Sequence, residues 1–203
     1  MAATRHQPMM LRHAVFLLWL LPLILVGCRE EPSHNSAKPD TARLIKNLPS
    51  GRFQLPTIHT PAPDFWITLP PGYQVKFVGR MPSDEFYIFR SDDPTLTDST
   101  AVSPGFLRIY MGTIAQSGVD RNTQFTEASA QLMGYRTRWR EWKEPAQAGK
   151  AFYAAEIAAS DFFQTTFPNL KKAPLFLHIY AAGTDTAHVA ALMAAAATLT
   201  TTP

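Results

Sequence analysis

The sequence has few of the residues that a disulfide-stapled or metal-binding domain needs. One cysteine among 203 residues excludes an intramolecular disulfide and a zinc site built from several thiolates. No H-E-x-x-H, EF-hand or G-x-S-x-G spacing occurs. Asp92, Asp93 and Asp98 share one loop, but without the calcium-loop pattern they predict only a solvated loop. We therefore predict no metal site, no cofactor and no enzymatic activity.

Acidic residues are absent before Glu30, whereas basic residues precede a short apolar run. Arg5 and Arg12 lie ahead of the fourteen uncharged residues 14–27. A helix needs about 20 apolar residues to cross a bilayer core, so this run is short for a permanent span. A basic segment followed by 7–15 apolar residues is typical of a secretory signal. Residues 1–27 are therefore predicted to be a signal peptide.

The end of that run, Leu25-Val26-Gly27-Cys28, resembles the lipobox of bacterial lipoproteins. The resemblance implies that the Cys28 thiol receives a diacylglyceryl group and that cleavage falls between Gly27 and Cys28. It also implies that the new amino group is acylated, and several acyl chains hold a protein firmly at a membrane. The alternative is an ordinary signal peptide or signal anchor with an incidental cysteine.

The residue after the cysteine bears on sorting. In the lipoprotein pathway of bacteria with two membranes, an Asp in this position retains the protein at the inner membrane. Here the residue is Arg29. The resemblance therefore favours the outer membrane, facing the periplasm, over the inner membrane.

The rest of the chain divides into a tether and one domain. Residues 28–52 are rich in charge, Ser and Pro and predict a flexible linker, and 53–203 predict a single globular domain. Without Arg5 and Arg12, 17 basic residues remain against 16 acidic ones. So small an excess does not favour nucleic acid as a partner.

Hydrophobic periodicity predicts an α+β domain, with an antiparallel sheet of about six strands and two packed helices. The helices are expected at about 123–133, closed by Gly134, and at about 185–199, capped by Thr184 or Asp185. The element order, the Leu69-Pro-Pro-Gly-Tyr73 entry and the terminal helix are similar to the PsbP/Mog1-like fold, over Phe65 to Leu199. That resemblance implies a binding or assembly module.

Two surfaces are candidates for a partner or ligand. Alternation along a predicted strand places four side chains on one face, Arg136, Arg138, Arg140 and Trp142. Guanidinium groups beside an indole suit an anionic partner, and the alternative is an edge strand whose charges discourage aggregation. A connection carries Phe162, Phe163 and Phe167, which either fill the core or form an apolar docking patch.

Four further residues lie in apolar surroundings. His178 shares a strand face with Phe176 and Tyr180, and His188 borders the stripe of the last helix; structural histidines are the favoured interpretation. Arg108 and Glu156 are each predicted inside an apolar strand, and adjacent strands would allow an ion pair between them.

These patterns favour a lipid-anchored, non-catalytic module that binds another envelope protein or the cell wall. An alternative is a lipoprotein that binds a small anionic or apolar ligand between the sheet and the helices. A hydrolase is a third hypothesis. It requires His178 or His188 to lie within hydrogen-bond distance of a carboxylate and a hydroxyl.

Replacing the one thiol tests the lipid prediction. In a Cys28→Ser form, radiolabelled palmitate should not enter the protein, because serine forms no thioether with the diacylglyceryl group. The precursor should also accumulate uncleaved, as seen by its larger size on a gel. Equal labelling and membrane fractionation of the Cys28→Ser and unaltered chains would contradict the prediction.

Overall fold

The computed structural model describes residues 51–98, 101–119, 122–147, 149–166 and 172–203. At residues 147, 158–166, 172 and 173 it describes the backbone alone. The predicted signal peptide, Gly27, Cys28 and the predicted tether up to residue 50 therefore lie outside the described residues. Within the described ranges, none of the helical structure is long and apolar enough to cross a bilayer.

Strands dominate the part of the chain that the structure describes. The elements are β1 (Arg52–Leu55), β2 (Phe65–Thr68), β3 (Tyr73–Phe77), β4 (Asp84–Arg90), β5 (Phe106–Gly112), β6 (Phe125–Leu132), β7 (Tyr135–Gln147), β8 (Lys150–Thr166), β9 (Lys172–Gly183) and α1 (Thr186–Ala196). Strands β1 and β2 pair with each other, and the others form a seven-stranded antiparallel sheet in the order β3-β4-β5-β9-β8-β7-β6. The predicted antiparallel sheet with a terminal helix is confirmed, but the fold is mainly β.

The helix predicted at 123–133 is wrong, because this segment is strand β6. The segment satisfies two periods at once. Phe125, Ala128 and Leu132 follow a helical spacing, whereas Ala128, Ala130 and Leu132 also alternate along a strand. Pairing of the whole of β6 with β7 decides between the two, because each residue gains a cross-strand neighbour that an isolated helix lacks.

The turn after β6 explains why the sequence suggests the end of a helix at Gly134. Met133 and Gly134 both have positive φ, 50° and 82°, and join Leu132 to its partner Tyr135. This is the two-residue hairpin turn whose backbone twist matches that of antiparallel strands. Gly134 was expected to close a helix, and the same left-handed conformation closes a hairpin instead.

The helix and the β1–β2 pair cover one face of the large sheet. Asp185 caps α1 by accepting hydrogen bonds from the backbone N–H groups of Ala187 and His188. Leu192 and Met193 of α1 belong to one buried apolar cluster with strand residues such as Ile109 and Ile179. We call this the helix face. Its apolar side chains form the main core, whose burial supplies most of the driving force for folding.

Two loops cover the opposite face, which we call the loop face. A smaller apolar cluster there contains Trp142, Phe152 and Ala182. Val102, from the β4–β5 loop, and Val119, from the β5–β6 loop, pack against it. Loops bury less apolar area than a helix does. The loop face therefore carries more polar side chains than the helix face and leaves more open space.

A buried carboxylate attaches the loop between β1 and β2 to the large sheet. Asp84 is fully buried and accepts hydrogen bonds from the N–H groups of Ile58, His59 and Thr60 at 2.9–3.0 Å, and from the Thr60 hydroxyl at 2.5 Å. A carboxylate supplies enough lone pairs for all four donors. The connection is thereby held against β4.

Replacing this carboxylate should destabilise the domain. In Asp84→Asn, one acceptor oxygen becomes an NH₂ group that faces backbone donors, so the free energy of unfolding should fall by about 3 kcal/mol. Urea unfolding at pH 7 measures the loss. Asp92→Asn is the matched control, because Asp92 pairs with Arg90 in solvent, and its midpoint should stay unchanged. Equal midpoints for both variants would contradict the assigned role of Asp84.

Candidate functional site

A row of polar side chains crosses the loop face along one register of the sheet. From β4 to β6 it runs through Tyr87, Arg108, Tyr180, Glu156, Arg140 and Glu127. Neighbouring strands lie about 4.8 Å apart, so each member can contact the next. Three of the row's charges were candidates from the sequence, and the antiparallel pairing brings them into one line.

Glu156 lies at the centre of this row and is fully buried. His178 Nε2 lies 2.7 Å from its Oε2, and the Gly118 N–H donates to the same oxygen at 2.8 Å. The Ser117 hydroxyl donates to Oε1 at 3.0 Å, and Arg140 Nη1 lies 3.4 Å from Oε1. A buried charge is tolerated only when it is paired and hydrogen-bonded, and this carboxylate is saturated.

These donors determine the protonation of Glu156. Burial raises the pKa of the carboxyl, but the hydrogen bond from His178 and those from Gly118 and Ser117 outweigh it. The net pKa of Glu156 is therefore lowered, and the group is ionised near neutral pH. Beside it, burial raises the pKa of the Tyr180 hydroxyl, and the carboxylates of Glu144 and Glu156 raise it further.

The β5–β6 loop fits closely over this cluster. A Cβ on Gly118 would lie 2.8 Å from the Trp142 ring and 3.1 Å from the Tyr180 ring. Only glycine allows the backbone N–H to approach Glu156 so closely here. No sequence pattern predicts that Ser117 and Gly118 donate to Glu156. Their role depends on a contact with a residue 38–39 positions away along the chain.

A hydroxyl, a carboxylate and a histidine therefore lie together, but in an order that does not suit hydrolysis. A nucleophilic relay needs the hydroxyl to donate to the histidine and the carboxylate to hold the other ring nitrogen. Here Ser117 donates to Glu156, and Glu156 contacts His178. Nδ1 of the buried His178 has no hydrogen-bond partner within the described ranges. The arrangement holds a loop and offers no activated nucleophile.

Two pairs of candidate residues lie apart in the structure. Arg108 and Glu156 do not pair, because β9 lies between their strands; Arg108 instead contacts Glu85 at 2.5 Å. His178 and His188 do not meet either. His178 is on the loop face, whereas His188 lies 2.9 Å from the Tyr73 hydroxyl on the helix face.

The arginine strand is β7, the second strand from the edge. Arg136, Arg138, Arg140 and Trp142 share the loop face, opposite Gln131, Ser129, Glu127 and Phe125 of β6. Glu127 contacts Arg138 at 3.3 Å and Arg140 at 2.8 Å, and Trp142 is buried. The edge-strand alternative is wrong for β7, because β6 occupies the edge. Arg136 has no carboxylate partner among the described residues.

The phenylalanine patch lies outside the described residues. Phe162 and Phe163 belong to β8, of which only the backbone is described there, and Phe167 follows the last described residue of that strand. The prediction that they form a docking patch or fill the core stays a prediction.

A cavity of about 490 Å³ lies between the loop face and the β4–β5 loop. Its lining residues are aromatic or aliphatic for the most part, and include Tyr87, Phe89, Leu96, Val102, Phe106 and Phe152. Tyr87 and Phe106 stack with their ring centroids 6.0 Å apart. Pockets of 300–1,000 Å³ with such walls are typical of small-molecule sites. The loop after β4, predicted from the sequence to be only solvated, instead covers Phe106.

The charged groups at the cavity differ in their partners. Asp93 is buried and accepts hydrogen bonds from the Thr95 N–H at 2.9 Å and from the Ser103 hydroxyl at 2.5 Å, so it fixes the roof. Lys76, at the wall, is exposed and has no carboxylate partner in the described part of the chain. The cavity therefore combines an apolar body with one uncompensated cation.

A smaller hollow of about 270 Å³ lies between the sheet and the start of α1. Trp139, Tyr153 and Val189 are among its lining residues. Its position is where the sequence placed the alternative ligand site, between the sheet and a helix. No group of three or more potential metal ligands occurs in the described ranges.

Comparisons with known proteins add no relative: no family model, no curated protein and no solved structure matches this chain. The resemblances to bacterial lipoproteins and to the PsbP/Mog1-like fold therefore stay predictions from the sequence. Function has to be argued from the geometry of the loop face.

The buried Glu156 cluster should contribute measurably to the stability of the domain. In Glu156→Gln, an NH₂ group faces the Ser117, Gly118 or His178 donors, so the free energy of unfolding at pH 7 should fall by about 2 kcal/mol. The folded pKa of Glu156 is lowered, so its contribution is present above about pH 4.3 and is lost as the pH falls through the folded pKa.

The difference in the free energy of unfolding between wild type and Glu156→Gln should consequently shrink below about pH 4. Urea unfolding at a series of pH values measures it. Glu141→Gln is the control, because that carboxylate is exposed on the other face of β7 and accepts from the Trp139 indole. A constant difference across the pH series would contradict an ionised Glu156.

Proposed function

We propose that this protein is a bacterial envelope lipoprotein that acts as a non-catalytic binding module. Its lipid anchor is Cys28 and its place is the outer membrane, facing the periplasm. The support for the anchor is the lipobox-like Leu25–Cys28 segment with Arg29 after it. The support for binding without catalysis is the saturated Glu156 cluster, in which the bonds from Ser117 and Gly118 hold the β5–β6 loop and those from His178 and Arg140 join neighbouring strands.

The observation that carries the proposed activity is the aromatic cavity under the β4–β5 loop. Its walls suit an apolar, planar body, because aromatic side chains bury large areas at little cost in side-chain entropy. Lys76 suits an anionic group on the same molecule. The proposed ligand class is therefore a small apolar molecule with one anionic group, bound on the loop face.

This site differs from the one expected between the sheet and the helices. The hollow beside α1 is smaller, and its charged lining residue is Glu141, which favours no anion. Binding of an envelope protein or of the cell wall, the other hypothesis from the sequence, concerns a different surface and is compatible with a filled cavity.

Fluorescence titration with anilinonaphthalene sulfonate, an apolar aromatic anion, tests the site. Wild type should bind one equivalent saturably. Lys76→Gln should weaken binding about tenfold, the effect of one charge-assisted contact. Val102→Trp, which adds bulk at the roof, should abolish binding while leaving the circular dichroism spectrum unchanged.

Lys150→Gln is the matched control, because Lys150 is an exposed lysine at the start of β8 and does not line the cavity. Its affinity should equal that of wild type. Unsaturable binding, or equal affinities for the two lysine variants, would contradict the proposed site.

A further inference from the structure

The two edges of the large sheet are protected to very different degrees. Strand β3 is five residues long, carries Lys76, and follows Pro70 and Pro71. Short strands, lysines and nearby prolines are the devices by which proteins prevent pairing at an edge. Strand β6, at the other edge, has eight residues without a proline or a lysine, and six of the eight are exposed.

The hairpin turn determines which backbone groups of β6 are free. Because Met133 and Gly134 form a two-residue turn, Leu132 and Tyr135 are a hydrogen-bonded pair. Alternation then directs the N–H and C=O groups of four residues away from β7, namely Phe125, Glu127, Ser129 and Gln131. No described strand lies beyond β6 to receive them.

The side chains along this edge suit a second copy of the same chain. In an antiparallel pair with a two-fold axis at Ser129, Glu127 faces Gln131 of the other copy, and Ala128 faces Ala130. The small residues lie at the centre, where the two strands must approach closely. Each carboxylate meets an amide, and no like charges face each other directly.

Charge complementarity supports the same arrangement. Arg136 is the neighbour of Gln131 on β7 and has no carboxylate partner among the described residues. In the two-fold pair, Glu127 of the other copy lies two strand spacings, about 10 Å, from Arg136, within reach of the two extended side chains. A hollow of about 430 Å³ lined by Ser129, Gln131 and Arg136 leaves room there.

We propose that the protein forms a symmetric dimer by pairing strand β6 with β6 of a second copy, with the two-fold axis at Ser129. The three facing pairs from Glu127 to Gln131 would exchange about six backbone hydrogen bonds, two for each pair. The contact is isologous, so it closes at two copies and does not propagate. It is independent of the cavity and of its ligand.

A disulfide across the axis tests this proposal in the full chain. In Ser129→Cys, the two new thiols would lie at facing positions about 5.5 Å apart between Cα atoms, a separation that a disulfide spans. Mild oxidation of the protein in detergent extracts should give a band at twice the chain mass on a non-reducing gel. The unaltered chain, whose one cysteine is Cys28, is the baseline.

Thr68→Cys is the matched control, because Thr68 is an exposed residue of β2, which belongs to the separate two-stranded sheet. Ser129→Cys should crosslink at least about tenfold faster than Thr68→Cys, as expected for thiols held together by an interface. Adding Gln131→Pro to Ser129→Cys removes an outward N–H and leaves the β6–β7 bonds in place, and it should reduce crosslinking to the control rate.

Three outcomes would overturn the proposal. They are equal rates for Ser129→Cys and Thr68→Cys, no effect of Gln131→Pro, and a product of Ser129→Cys at a mass other than twice that of the chain. The last would identify a different protein as the partner of β6.

Discussion

The loop face of this protein depends on one buried carboxylate. Glu156 lies at the middle of the sheet without access to water, where an unpaired charge would be costly. Four donors pair with this charge, and each of them also holds a neighbouring part of the structure in place. Ser117 and Gly118 hold the β5–β6 loop on the sheet, and His178 and Arg140 tie β8 to the strands on its two sides. A single electrostatic constraint thus organises a loop and three strands.

The two faces of the sheet are stabilised by different means, and this difference accounts for the position of the proposed binding site. The helix face is closed by α1 and by the β1–β2 pair, whose apolar side chains fill the space between them. The loop face is closed by two loops that are fixed by buried carboxylates, Asp93 in one and Glu156 beneath the other. Hydrogen bonds fix the position of a loop without filling the volume under it, so a cavity remains beside Phe106. Binding on the loop face is therefore compatible with a rigid core on the helix face.

Much of the local structure could be predicted from the residues, and the failures have a common cause. The last helix, its Asp185 cap and its inward residues follow from local chemistry, and so do the alternating faces of β5 and β7. The segment at 123–133 fits two periods, and only pairing with β7 decides that it is a strand. The Arg108–Glu156 pair, which required adjacent strands, does not form because strand order is a long-range property: β9 inserts between β5 and β8. The candidate arginines were grouped correctly on one face, but their partners could not be known without that order.

The sequence by itself determined the alternation of strands other than β6, the capped helix and the signal-like amino-terminal segment, because these depend on neighbours within a few residues. The tertiary structure decided which strands are adjacent, and therefore which charges pair, which loop covers the sheet and where a cavity opens. It also decided that β6 lies at an edge and that Arg136 is left without a carboxylate in the described part of the chain. These outcomes depend on contacts between residues far apart in the chain, which local sequence patterns do not predict.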